Sequence, residues 1–136
     1  MTSPILVPAL LGKTMGAPSG NFVIAEWQDA GGPAGQRRPI APLHLHHHDD
    51  EAWYVLEGTL GVKVGESELE AQVGGAIFVP RGTPHTYWNA STGRLRYLLI
   101  MTGTIHKLIQ EIHAATDRTP DAMREIFRRN DSELLL

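Results

Sequence analysis

The sequence predicts an all-β domain followed by a short helical extension, and three observations carry that expectation. Short runs rich in β-branched and aromatic residues fill the stretch from Asn21 to Met101. Turn formers separate most of them, foremost Gly58, Gly65, Gly74-Gly75, Gly82 and Gly93. After Gly103 the apolar spacing switches to a helical period. Strands this short and closely spaced suggest a sandwich or a barrel of antiparallel strands.

Taken in order, Phe22–Trp27 reads as the first strand, and the glycine-rich stretch Gly31–Gly35 as a loop. Strands are then expected at His44–His48, Trp53–Leu56, Leu60–Val64, Leu69–Val73, Ala76–Val79, His85–Asn89 and Leu95–Met101. Beyond them, Ile105, Leu108, Ile109 and Ile112 recur at i, i+3, i+4 and i+7, with Thr104 as a plausible N-cap. A second helix is expected to open at Thr119 with Pro120 in its first turn, presenting Met123, Ile126 and Phe127 on one side. The expected organisation is an N-terminal segment over 1–20, a β-barrel over 21–103 and helices over 104–136. Those helices are expected to cover the barrel or a partner subunit.

Bulk properties narrow the function classes. A chain of 136 residues fits one domain, and 42% hydrophobic against 20% charged residues reads as globular. A formal net charge of −3 gives no reason to expect nucleic acid or an anionic membrane as partner. Arg37-Arg38 and Arg128-Arg129 read as ordinary surface pairs. The N-terminus lacks a basic region, Pro4 and Pro8 break its apolar stretch, and no run approaches a membrane span. A cytoplasmic location is the default expectation. The absence of cysteine rules out a thiol nucleophile and a thiolate metal site.

The chemistry concentrates in the histidines. Seven are present, and four fall within the stretch from His44 to His48. In a strand His44, His46 and His48 share one face, and imidazoles at i and i+2 can converge on one ion at about 2.0–2.1 Å. Glu51 has the opposite parity to His44, so it joins them only if the chain breaks its alternation near Asp49-Asp50. His85 follows the turn Pro80-Arg81-Gly82-Thr83-Pro84, and only a closed or face-to-face sheet would bring it to the others. A His46/His48 pair is a rival to His44/His46. His106 and His113 read as surface or interface residues, and Asn89 as a structural amide bonding loop backbone. Trp53 shares a face with Glu51, and Tyr87 with His85. Both are candidates to line a substrate pocket, or plain core; Tyr97 and Met101 are weaker candidates.

The two segments read His44-x-His46-x4-Glu51-x6-Gly58 and Gly74-x5-Pro80-x-Gly82-x2-His85-x3-Asn89, with Thr59 to Val73 between them. Together they resemble the two signature motifs of the cupin superfamily, over residues 35 to 101. The glycine that usually opens the first motif is Arg38 here. The resemblance implies a double-stranded β-helix, or jelly-roll barrel, with a metal held by His44, His46, Glu51 and His85. The ion would be one divalent transition metal: iron, manganese, nickel, cobalt, copper or zinc. Small single-domain cupins of this kind include dioxygenases resembling quercetinase, and they are commonly homodimers. The leading expectation is a metal-dependent dioxygenase acting on an enediol, β-diketone or phenolic small molecule, with Glu51 as ligand and base. A metal-dependent isomerase, epimerase or cyclase is the alternative, as is a cupin that binds a small ligand without turnover.

Overall fold

The computed structural model describes residues 4–16, 20–33 and 36–135. Nine strands come first: β1 (Thr14–Met15), β2 (Val23–Asp29), β3 (Pro39–His46), β4 (Glu51–Glu57), β5 (Leu60–Val64), β6 (Ser67–Ala71), β7 (Ala76–Val79), β8 (His85–Asn89) and β9 (Leu95–Met101). The helices α1 (Gly103–Ala114) and α2 (Pro120–Arg129) follow, and the short strand β10 (Ser132–Leu134) comes last. Every pairing is antiparallel, in two five-stranded sheets of order β1-β2-β9-β4-β7 and β10-β3-β8-β5-β6.

Alternation in the sequence decides which face of each strand turns inward. In β9, Leu95, Tyr97, Leu99 and Met101 are buried while Arg96, Leu98 and Ile100 are only partly so. The core between the sheets centres on Trp53, Val55, Leu60 and Val62, all fully buried. Each such aliphatic side chain stabilises the fold by about 1.5–3 kcal/mol relative to exposure. Ile105 of α1 joins this core, whereas Leu108, Ile126 and Phe127 form a second cluster between the helices. Among the described residues, no helix is long and apolar enough to cross a membrane.

The elements differ from expectation in four places. β3 begins at Pro39 rather than His44 and ends at His46, so His47-His48 form a bend. Its register against β8 shifts twice, around Pro39, Ala41 and His44. Prolines cannot donate to a ladder, and two lie in this strand. The N-cap of α1 is Thr102 rather than Thr104, its hydroxyl accepting from the Ile105 N–H at 3.3 Å. The segments flanking the barrel are not wholly outside it, because β1 pairs with β2 and β10 pairs with β3. Thr119 caps α2 as expected, with Pro120 at its start. Ala34 and Gly35 of the expected loop lie outside the described residues.

Two motif glycines both have positive φ, yet they differ in what surrounds them. At Gly58 (φ +80°) an added Cβ would lie 2.5 Å from the Arg94 carbonyl oxygen, while at Gly82 (φ +77°) it would meet open space. Gly82→Ala therefore carries only the left-handed backbone penalty, about 1–2 kcal/mol. Gly58→Ala adds a steric clash and is expected to cost roughly 2–4 kcal/mol. Urea unfolding of both variants checks the order.

Candidate metal centre

Four buried side chains converge from two sheets. β3 turns His44 and His46 inward, and β8 pairs His85 directly opposite His44. Glu51 is the first residue of β4 and belongs to the facing sheet. The chain leaves one sheet at His46, bends through His47–Asp50 and enters the other at Glu51. Inner faces of opposed sheets look at each other, so the odd spacing between His44 and Glu51 is no obstacle. The crossing is anchored from below. Asp50 accepts from the Arg81 backbone N–H at 2.8 Å and from its guanidinium at 2.9 and 3.1 Å. The Gly82 N–H donates to the His46 carbonyl at 2.6 Å, which brings the turn preceding His85 against the end of β3.

His44, His46, Glu51 and His85 are each 6% exposed or less, and one potential ligand atom from each lies within 4.8 Å of all the others. Their outer nitrogens are already committed. His44 Nδ1 donates to the Pro42 carbonyl at 2.6 Å and His85 Nδ1 to the Thr83 carbonyl at 2.9 Å. His46 Nδ1 lies 2.7 Å from Ser132 Oγ, and that hydroxyl donates to the Asn130 carbonyl at 3.1 Å. The Ser132 oxygen therefore accepts from His46. With Nδ1 carrying hydrogen in all three rings, Nε2 is the atom that each turns toward the cluster.

Those nitrogens face a carboxylate. His85 Nε2 is 2.6 Å and His46 Nε2 is 3.2 Å from Glu51 Oε1. Two lone-pair atoms do not rest that close unless a cation, a proton or a metal ion, lies between them. Burial and the neighbouring His85 and His46 hold His44 down to about 3, so its ring is neutral. Burial pushes the Glu51 carboxyl up, but its contacts with His46 and His85 outweigh that and bring it to about 2. Neutral imidazole and ionised carboxylate are the states that bind metal. The donor set fits a divalent transition ion.

Above the cluster lies a cavity of about 420 Å³, with His44, His46 and Glu51 at its floor and Tyr87 and Tyr97 in its wall. Trp53 does not line it. It is fully buried behind the site, its ring 5.9 Å from that of His85 and 5.2 Å from that of Tyr87, and serves as core. Met101 is likewise core. His48 is exposed and hydrogen-bonds Asp131, which removes the His46/His48 alternative. Asn89 is a structural amide: Nδ2 donates to the Gly93 carbonyl at 2.8 Å and Oδ1 accepts from the Ser91 N–H at 2.9 Å. His113 departs from the sequence reading, since it lines the cavity from α1, its ring 6.2 Å from that of Trp27. Ser132 gave no signal in the sequence, because its partner lies 86 residues away.

The metal-free protein should lose stability in acid. Below about 6.5 the unfolded chain takes up a proton on His44 that the folded protein refuses until about 3. Below about 4.5 the unfolded form likewise protonates Glu51 ahead of the folded one. Both effects have the same sign, so the urea midpoint should fall steadily from pH 6.5 towards pH 3. The upper part of that fall should shrink in His44→Gln.

Comparison with known proteins agrees with this geometry. The family model described as the cupin domain matches residues 35–101. A protein named oxidoreductase iacF, from Pestalotiopsis fici, is 36% identical over 84 residues, covering 59% of this chain and 40% of that one. The chain spans less than half the length of the curated relatives it matches. Among solved structures, TT1209 from Thermus thermophilus is 29% identical with a TM-score of 0.51, over 60% of this chain and 72% of that one. A protein assigned as a sugar phosphate isomerase, from Acidithiobacillus ferrooxidans, is 25% identical with a TM-score of 0.51, over 60% and 50%. Two signature segments, two facing antiparallel sheets and a buried three-histidine, one-carboxylate cluster all meet in this match, and the chain belongs to the cupin superfamily.

Proposed function

We propose that the protein is a metal-dependent dioxygenase acting on a small molecule that carries paired oxygens. The observation that carries this reading is the convergence of three imidazole Nε2 atoms and one carboxylate at the floor of a cavity large enough for a ligand. His44, His46, His85 and Glu51 would hold the ion, and a thiolate-free, nitrogen-rich set suits iron, manganese, nickel, cobalt, copper or zinc. When bound, such an ion supplies Lewis acidity and open coordination positions, and a redox-active one supplies electrons for reaction with dioxygen.

The remaining steps belong to the chain. Glu51 would help hold the ion, and its carboxylate would be the base that takes the substrate's enol or phenol proton. Tyr87 and Tyr97 pair their hydroxyls at 3.4 Å, and burial raises both, Tyr97 to about 12. They stay neutral and can orient a substrate oxygen. The aliphatic walls keep water away from the reacting atoms.

The relative named an oxidoreductase favours the redox reading, whereas the neighbour assigned as a sugar phosphate isomerase favours a non-oxidative rearrangement at the same centre. Oxygen uptake separates them. Iron-, manganese- or nickel-loaded protein should consume dioxygen with a panel of catechols, β-diketones and enediols. Turnover under argon would move the protein to the isomerase class, and none with any metal would leave a ligand-binding role. The ligand set is tested apart from activity. His85→Ala should abolish retention of zinc in equilibrium dialysis while keeping the circular dichroism of the fold. Ser132→Ala should weaken zinc binding roughly 10–100-fold by freeing the His46 ring, and Ser132→Thr should restore most of it.

A homodimer accompanies this reading. On the outer face of the first sheet, Ile24, Ile100, Ala52 and Phe78 stand in one row across four strands, with Phe78 61% exposed. Light scattering should give twice the 14.9 kDa chain mass, and Phe78→Lys should halve it.

A further inference from the structure

We infer that the substrate is an uncharged molecule with an apolar body joined to its pair of oxygens, and that the inner face of α1 selects it. The inference rests on the reading of the four-residue cluster as the place where those oxygens bind. It adds what the rest of the molecule must be.

The cavity is polar at its two ends and apolar between them. At the floor stand His44, His46 and Glu51; at the rim stand the exposed Gln28 and His113. Between them α1 alone contributes Ile105, Leu108, Ile109 and Ile112, faced by Leu99 and Phe127. Among the described residues no lysine or arginine lines the cavity, and the one carboxylate is Glu51. Tyr87 and Tyr97, which burial keeps neutral, offer hydroxyls and no positive charge. At the start of α1, Thr102 already accepts from the Ile105 and His106 N–H groups through its hydroxyl and its carbonyl.

A phosphoryl, sulfonate or second carboxylate group entering the apolar stretch between floor and rim would shed its water without gaining a cation or a fork of donors. A hydrocarbon or aromatic portion would gain from the same walls. Charged sugars fit poorly for that reason, even though a structural neighbour is assigned to them. The part of that wall supplied by α1 lies outside residues 35–101, the part that matches the cupin domain. Specificity here is therefore written in good part on the helical extension.

The test compares ligands that share one head. Catechol, 4-tert-butylcatechol and catechol-4-sulfonate are titrated by calorimetry into zinc-loaded protein under argon. The tert-butyl compound should bind at least about tenfold tighter than catechol, and the sulfonate at least about tenfold weaker. Sulfonate binding equal to or tighter than that of the tert-butyl compound would overturn the inference. Zinc retention is measured first by equilibrium dialysis. If zinc is not retained, the metal reading fails, and 4-tert-butylphenol against 4-phenolsulfonate on the metal-free protein decides the wall preference by the same criterion. Ile112→Arg then tests α1. With zinc retention unchanged, the preference for the uncharged ligand should shrink at least about tenfold, and an unchanged ratio would overturn the role of the helix. Should that variant misfold by circular dichroism, Ile109→Lys is read in its place.

Discussion

Three imidazole nitrogens and a carboxylate oxygen, each stripped of water and turned toward the others, make a cluster that a protein interior tolerates only with a proton or a metal ion shared among them. The rest of the structure is organised around that constraint. Each ring is fixed from behind by a different acceptor: Pro42 O, Thr83 O and Ser132 Oγ. Those three acceptors come from β3 itself, from the turn before β8 and from β10. The rings cannot rotate away without giving up a hydrogen bond, so the cluster stays set for a cation. Preorganisation of this kind belongs to a binding site more than to a core.

Much of the barrel was legible because its physics is local. Alternating burial along β9 and along Ala76–Val79 follows from the period of two that any half-buried strand obeys. The four candidate ligands were legible from spacing and from the resemblance. What was not legible was how Glu51 reaches the histidines, because strand parity applies within one sheet and the chain changes sheets between His46 and Glu51. β10 escaped notice for a related reason. Three residues carry almost no periodic signal, and their partner strand is remote in sequence.

The helical extension shows the same division. The spacing of Ile105, Leu108, Ile109 and Ile112 announced an apolar face, and α1 does bury Ile105 and Leu108. Nothing in that spacing said that the face would roof a cavity rather than pack solidly on the barrel. His113, the residue after the end of the same stripe, was read as surface or interface. It is exposed, but it also stands at the cavity rim beside Trp27. A shared barrel thus carries the four-residue cluster, while the helical extension shapes the space above it. Such a division lets new ligand preferences arise with little disturbance to the centre.

The pairing of β10 with β3 ties the inner site to a segment far along the chain. The strands up to Met101 carry His44, His46, Glu51 and His85, yet the acceptor behind the His46 ring belongs to β10, beyond both helices. Without that serine the His46 ring would lose its backing and could spin. A barrel lacking β10 would therefore hold an ion loosely and exchange it freely, so the firmness of binding would be set by a segment that contributes no ligand.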